Sequence, residues 1–263
     1  MVIETNARVN WTRPQILAAL HLYLQLPFGQ LDKRNARVKQ LAAWISRTPS
    51  SVALKLVNLA SLDPVIVASG RSGMANASNL DREIWEELQT NWDVAALDAA
   101  AQYEHLALLH GARTDEDLMA DTMPFEEGKT RSAMVQVRVN QARFRKAVLT
   151  SYNATCCISG LSHEKLVVAS HIVPWSEDTK NRLNPQNGLC LSGLHDRAYD
   201  QGLITVMPNF QVRVSLKLKA SAGDTFIVAS LLRFDEKPIR FPERFAPDPR
   251  FLAHHARRFG FMS

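Results

Sequence analysis

The sequence predicts an α+β protein, with a mostly helical first part followed by a second part built around two short strands and a helix. Three observations carry that reading. Apolar residues recur at helical spacing through much of the first 110 residues. Residues 111–130, containing "DEDLMADTMPFEEGK", are acidic and broken by Pro124 and Gly128, which suits a linker. Beyond it, "EKLVVASHIVPW…RLNPQNGLCLSGLHDRAYDQG" reads as strand, long turn, strand and short helix. The expected organisation is a helical domain over 1–120, a linker over 121–130 and a second domain over 131–263.

Within the first part, "RPQILAALHLYLQ" (13–25) predicts a helix with Pro14 in its first turn. "NARVKQLAAWIS" (35–46) predicts a second. In "RTPSSVALKLVNLASLDP", Thr48 or Ser50 can cap a third, with Pro49 in its first turn and Val52, Leu56 and Leu59 among its apolar residues. Two helices on a short turn resemble a helix-turn-helix, and with "WT" at Trp11 the unit is similar to the Myb/SANT three-helix type. Only Lys55 is basic within the third helix, which argues against simple phosphate gripping. "SGRSGMANASNL" (69–80) is a polar loop, after which Asn79 or Asp81 begins "DREIWEELQTNW". From about 133 to 152, Phe144, Val148 and Tyr152 recur every four residues, and Arg138 and Arg145 share a face, with Arg143 and Lys146 nearby.

Net charge is +5, unevenly spread: residues 1–120 carry 11 Lys/Arg against 13 Asp/Glu, and residues 121–263 carry 20 against 13. Residues 128–163 hold six basic residues and no acidic one, a stretch suited to a polyanion that sheds counterions on binding. The N-terminal stretch lacks a secretory pattern, no apolar run is long enough to span a bilayer, and the cysteines (Cys156, Cys157 and Cys190) are odd in number with two adjacent. These point to a reducing, cytoplasmic setting and away from a membrane or disulfide-framed protein.

The second part concentrates the chemistry. Leu166–Ala169 form a β-like run that ends at Ser170 and His171, and the chain then breaks at Pro174. Asn187 follows sixteen residues after His171, among the turn signals Asn184–Pro185 and Asn187–Gly188. "GLCL" returns as a strand, Gly193 breaks it, and His195 opens "HDRAYD", which stops before Gly202. The order His–Asn–His on a ββα unit resembles the HNH endonuclease family. The elements SHI-x-PW, NP-x-NGL and HD-x-x-(aromatic)-D-x-GLI are similar to one branch found in restriction-type enzymes. The resemblance spans about 131–206, with a weaker echo in "PIRFPERFAPDPRFLAHH".

That resemblance implies metal-dependent hydrolysis of DNA phosphodiesters. His171 would take the proton of the attacking water, a task suited to an imidazole titrating near neutrality. Asn187 would brace the turn, and His195 would hold a divalent cation against the developing charge. Two positions depart from the pattern: Ser170 stands where a second ligand is common, and Tyr199 stands four residues after His195. Asp196 and Asp200 are the nearby carboxylates. Mg²⁺ or Mn²⁺, which keep much of their water, are the expected ions. Cys157 and Cys190 are followed three residues later by Gly160 and Gly193, so two Cys-x-x-Cys pairs cannot form and a structural zinc is not expected. Arg138, Arg143, Arg145, Lys146 and Arg182 are the expected backbone-gripping residues on double-stranded DNA. His163 is read as exposed, His254 and His255 as lying on different faces of a C-terminal helix and so sharing no metal, Arg257 and Arg258 as solvated surface residues with DNA contact the alternative, and Trp175 as packing beside the site.

The whole predicts a restriction-type endonuclease whose helical domain selects sequence, senses a modified base or mediates dimerisation. A homodimer would supply the two active sites a double-strand cut needs. The competing readings are a nicking or RNA-directed nuclease and a decayed HNH protein that only binds DNA.

Overall fold

A computed structural model describes residues 10–70, 76–114, 117 and 129–263, with the side chains of 129–133 excluded. Most of the linker expected at 121–130 and part of the 69–80 loop lie outside the described residues; Lys129 and Thr130 open a helix.

The first part folds as α1 (Arg13–Gln25), α2 (Ala36–Trp44), α3 (Pro49–Ala60), α4 (Pro64–Ala68), α5 (Asn79–Thr90) and α6 (Trp92–Leu109). α1 matches the predicted span, and its residues from Ile16 to Gln25 are all buried because α2, α3, α5, α6 and the later helix α7 (Lys129–Ser151) pack around it. Thr48 caps α3 by accepting from Ser51 N at 3.2 Å, with Pro49 at the first helical position as predicted. Ser78 and Asp81 form a reciprocal cap on α5. Asp81 also receives Lys55 Nζ at 2.7 and 2.8 Å, and both side chains are buried, so the one cation of α3 is spent inside the protein.

The second part runs α7, β1 (Val167–His171), β2 (Gly188–Ser192), α8 (Gly193–Asp200), β3 (Ile204–Val206), β4 (Val212–Val214), α9 (Leu216–Lys219), α10 (Thr225–Ser230) and α11 (Pro249–Arg258). β1 and β2 pair antiparallel, with His171 opposite Gly188, Ala169 opposite Cys190 and Val167 opposite Ser192. β3 and β4 form a second antiparallel pair.

Side chains alternate across a strand, so His171, Ala169 and Val167 share the face of β1 that meets α7. Gly188 makes that approach feasible: a Cβ there would lie 2.5 Å from Val148 Cγ2 and 2.9 Å from Phe144 Cζ. Arg145 Nη2 fastens the start of β1 by donating to Val167 O at 3.0 Å and Glu164 O at 3.2 Å. Gly202 ends the run after α8 with φ +62°, against the ring of Phe259.

Helices of the first part and elements of the second share one continuous apolar core. Arg244 is fully buried and bridges them. Its guanidinium donates to the carbonyls of Tyr23 (2.7 Å) and Leu26 (2.8 Å), the open C-terminal end of α1, and to Thr150 Oγ1 (3.3 Å) on α7. Beside it, Phe245 N donates to Asp63 Oδ2 at 3.1 Å.

Candidate active site

His171 is half-buried at the end of β1. Its ring stacks on Phe144 of α7, with centroids 3.7 Å apart and planes 11° apart, and meets the edge of Trp175 at 5.5 Å. Nε2 lies 3.0 Å from the carbonyl of Arg182. A carbonyl only accepts, so Nε2 carries the proton and Nδ1 carries the lone pair. Among the described residues Nδ1 has no hydrogen-bond partner, and it is not one of the enclosed unpartnered atoms. Burial pulls the imidazole below its ordinary 6.5, and the Arg182 carbonyl offsets part of that. At neutral pH the ring is therefore uncharged, with a fixed tautomer and orientation.

Asn187, buried between β1 and β2, holds the turn that follows His171. Oδ1 accepts from Val173 N at 2.8 Å, and Nδ2 donates to Val173 O at 3.1 Å and Asn181 O at 3.3 Å. The amide satisfies both backbone polar groups of Val173, two residues past His171, and one carbonyl of the long loop. Asp could not reproduce this pattern, because it lacks the donor.

His195 lies elsewhere. The register puts His171 at the Gly188 end of the ladder, whereas His195 follows Ser192 at the other end, and no contact joins the two rings. The His195 ring is buried, with Nδ1 2.6 Å from Ser192 Oγ and 3.9 Å from Cys156 Sγ, and with Phe234 at 5.4 Å. Nε2 is enclosed and unpartnered.

Sequence reasoning missed this grouping by one residue on one side and two on the other. It paired Cys157 with Gly160 and Cys190 with Gly193, whereas the residues that meet are Cys156 and Ser159, Ser192 and His195, each pair three apart in sequence. Burial pushes the Cys156 thiol up, but hydrogen bonds from His195 and Ser159 outweigh it and bring it down to about 6. A cleft of about 640 Å³ opens here, lined in part by Lys165, Val168, His195, Arg233 and Phe234; His171 is not among its walls.

Of the other ligand candidates, Ser170 is buried with its Oγ unpartnered, Asp196 is half-buried and Asp200 exposed. Burial, then the neighbouring Asp196 charge, raises the Asp200 carboxyl. Among the described residues, no group of three or more His, Cys, Asp or Glu side chains converges on one point. Tyr199 is buried and stacks on His255 at 3.6 Å, so that departure serves packing.

The basic residues divide. Arg138 and Lys146 are exposed. Arg143 is buried in an ion pair with Glu104 of α6, and also donates to Asn140 Oδ1 at 3.2 Å, so its charge faces the helical part rather than solvent. Arg145 is engaged with β1, as above. Arg182 donates Nε to Trp175 O at 2.9 Å and lies over the Trp175 ring. His255 is buried between Thr205 Oγ1 (2.9 Å) and Tyr199 O (3.2 Å), while His254 is exposed near Glu177.

The hairpin, whose first strand ends in an oriented imidazole and whose second runs directly into a helix, forms a ββα unit. Residues 156–207 match the model of a family described as HNH endonuclease. Enzymes of this family generally use divalent metal ions. No curated protein matches the chain. No helix among the described residues is long and apolar enough to cross a membrane.

Proposed function

We propose that the protein is an endodeoxyribonuclease in which His171 is the general base. The observation that supports this most is the orientation of His171: Nε2 engaged by the Arg182 carbonyl, Nδ1 open, and the ring clamped between Phe144 and Trp175. Nδ1 takes the proton of a water that attacks phosphorus in line, and burial keeps the imidazole neutral and ready at pH 7. Asn187 positions the turn beyond the base. Exposed Arg138 and Lys146 attract the DNA backbone, and Arg182 keeps its charge beside the base.

The fit to a divalent cation is partial. If Nδ1–H of His195 donates to Ser192 Oγ, Nε2 presents a free lone pair, the arrangement of a metal-binding histidine. His195 would hold the ion, with Mg²⁺ or Mn²⁺ as the expected species; Asp196 and Asp200 form no cluster with it among the described residues, and Ser170 sits toward the other end of the hairpin. Such an ion would supply charge neutralisation to a phosphate bound at His195, at the opposite end of the hairpin from His171.

A restriction role, including action on modified DNA, follows the branch resemblance, with residues 1–120 as the recognition or dimerising part and 131–263 as the nuclease part. Purified protein is incubated with supercoiled plasmid, with and without Mg²⁺ or Mn²⁺, beside His195→Ala and Asp196→Ala. Metal-dependent linear product supports the reading. Open circles alone indicate a nicking enzyme, and binding without cleavage indicates the decayed form. Repeating with methylated and hydroxymethylated plasmid tests modification dependence.

A further inference from the structure

One peptide unit of the long loop is gripped at both ends. The amide between Arg182 and Leu183 presents its carbonyl to His171 Nε2 at 3.0 Å and its N–H to Asp93 Oδ1 at 2.8 Å. In a planar trans peptide these two groups point in opposite directions, so the carboxylate and the imidazole lie on opposite sides of one rigid plate. Asp93 is far away in sequence, in the first turn of α6, within the helical part. Its own N–H donates to Lys180 O at 3.3 Å, so it holds the loop at two points, one on each side of Arg182.

We infer that Asp93 is a positioning residue for His171, acting through the Arg182–Leu183 peptide; the inference rests on the assignment of His171 as the base. Two effects follow. Fixing the plane of the peptide fixes where its carbonyl points, and that selects the Nε2–H tautomer and aims Nδ1. A carboxylate on the N–H side also polarises the amide, which makes its carbonyl a stronger acceptor. Trp175 is tied into the same unit, because its carbonyl takes Arg182 Nε while its ring meets the His171 edge. The helical part therefore contributes to the alignment of the base, beyond any role in recognition.

The test compares full-length wild type with Asp93→Ala, Asp93→Asn and His171→Ala. Asp93→Asn keeps an oxygen for the Leu183 N–H and loses the charge. Long-range ¹H–¹⁵N spectra of the imidazoles, assigned through the His171→Ala variant, report the tautomer at neutral pH. Wild type gives the Nε2–H form. Asp93→Ala gives a mixture of both tautomers, and Asp93→Asn restores Nε2–H. In steady-state cleavage, Asp93→Ala lowers kcat about 10- to 100-fold, the scale of a misaligned catalytic group, with KM for DNA unchanged; Asp93→Asn recovers most of it.

A folded Asp93→Ala protein with the wild-type tautomer and kcat overturns the inference. If Asp93→Ala fails to fold, Asp93→Ser and Asp93→Asn decide it: a wild-type tautomer and kcat in Asp93→Ser, which cannot span the same distance, is equally fatal. Absence of cleavage by wild type would refute the nuclease reading alone, since the tautomer measurement needs no turnover.

Discussion

Replacing Asn187 separates a specific amide role from general packing. The residue is 1% exposed and makes three hydrogen bonds, two to Val173 and one to Asn181. In Asn187→Ala all three are lost, at about 1 kcal/mol each, and the Val173 N–H stays buried without a partner, for a total of about 4 kcal/mol. In Asn187→Asp the 2.8 Å bond to Val173 N survives, but the donor becomes an oxygen facing two carbonyls at 3.1 and 3.3 Å. A buried carboxylate in that position costs several kcal/mol, so at pH 7 this near-isosteric change destabilises at least as much as truncation. The new carboxyl's pKa is raised in the folded state, so the penalty is largest above that value and shrinks as pH falls and protonation restores a donor. Thermal unfolding at pH 7 and pH 5 reads this out, each kcal/mol moving Tm by roughly 2–4 °C. A variant Asn187→Asp that melts like wild type at pH 7, or a deficit that grows on acidification relative to wild type, would refute the reasoning.

Further outcomes follow from the same geometry. Gly188→Ala drives a Cβ into Val148 and Phe144, which costs about 1–3 kcal/mol and shifts Phe144 off His171; calorimetry shows a lower Tm and the plasmid assay a lower rate. The acid limb of the cleavage profile lies below 6.5, because burial lowers the His171 pKa and the base stays neutral into mildly acid solution; a limb at or above 6.5 contradicts that burial. His255 is held neutral, its folded value drawn down to about 4 chiefly by burial, with the Tyr199 carbonyl acting the other way. Between 6.5 and 4 only the unfolded chain takes up this proton, so stability present above 6.5 is lost as pH falls, by about 3 kcal/mol in all. Urea midpoints of wild type and His255→Gln at pH 7 and 4.5 measure it, with a shallower loss expected in the variant.

Local chemistry was legible in the sequence. Thr48 and Pro49 announce the start of α3, Gly202 the stop after α8, and the strand ending in His171 shows in its β-branched run. Asn187 stood out because turn signals surround it. What was hidden depends on partners distant in the chain. Arg143 looked like part of a basic face, and only the packing of α7 on α6 turns it inward to Glu104. Arg244 gave no sequence signal; its role comes from the open carbonyls of α1, more than two hundred residues earlier. The Cys156–Ser192–His195 grouping was obscured because Cys157 and Cys190 drew attention to neighbouring positions. Asp93 drew no reading from the sequence, because its partner Leu183 lies ninety residues further along the chain.

The central claim is that the imidazole of His171 removes a proton from water. Chemical rescue tests it directly: cleavage of plasmid by His171→Ala, with and without added imidazole, at matched DNA occupancy. The account predicts that the variant binds DNA as wild type does, does not cut it, and regains activity as free imidazole enters the space between Phe144 and Trp175. Cleavage by His171→Ala at the wild-type rate without imidazole would contradict it.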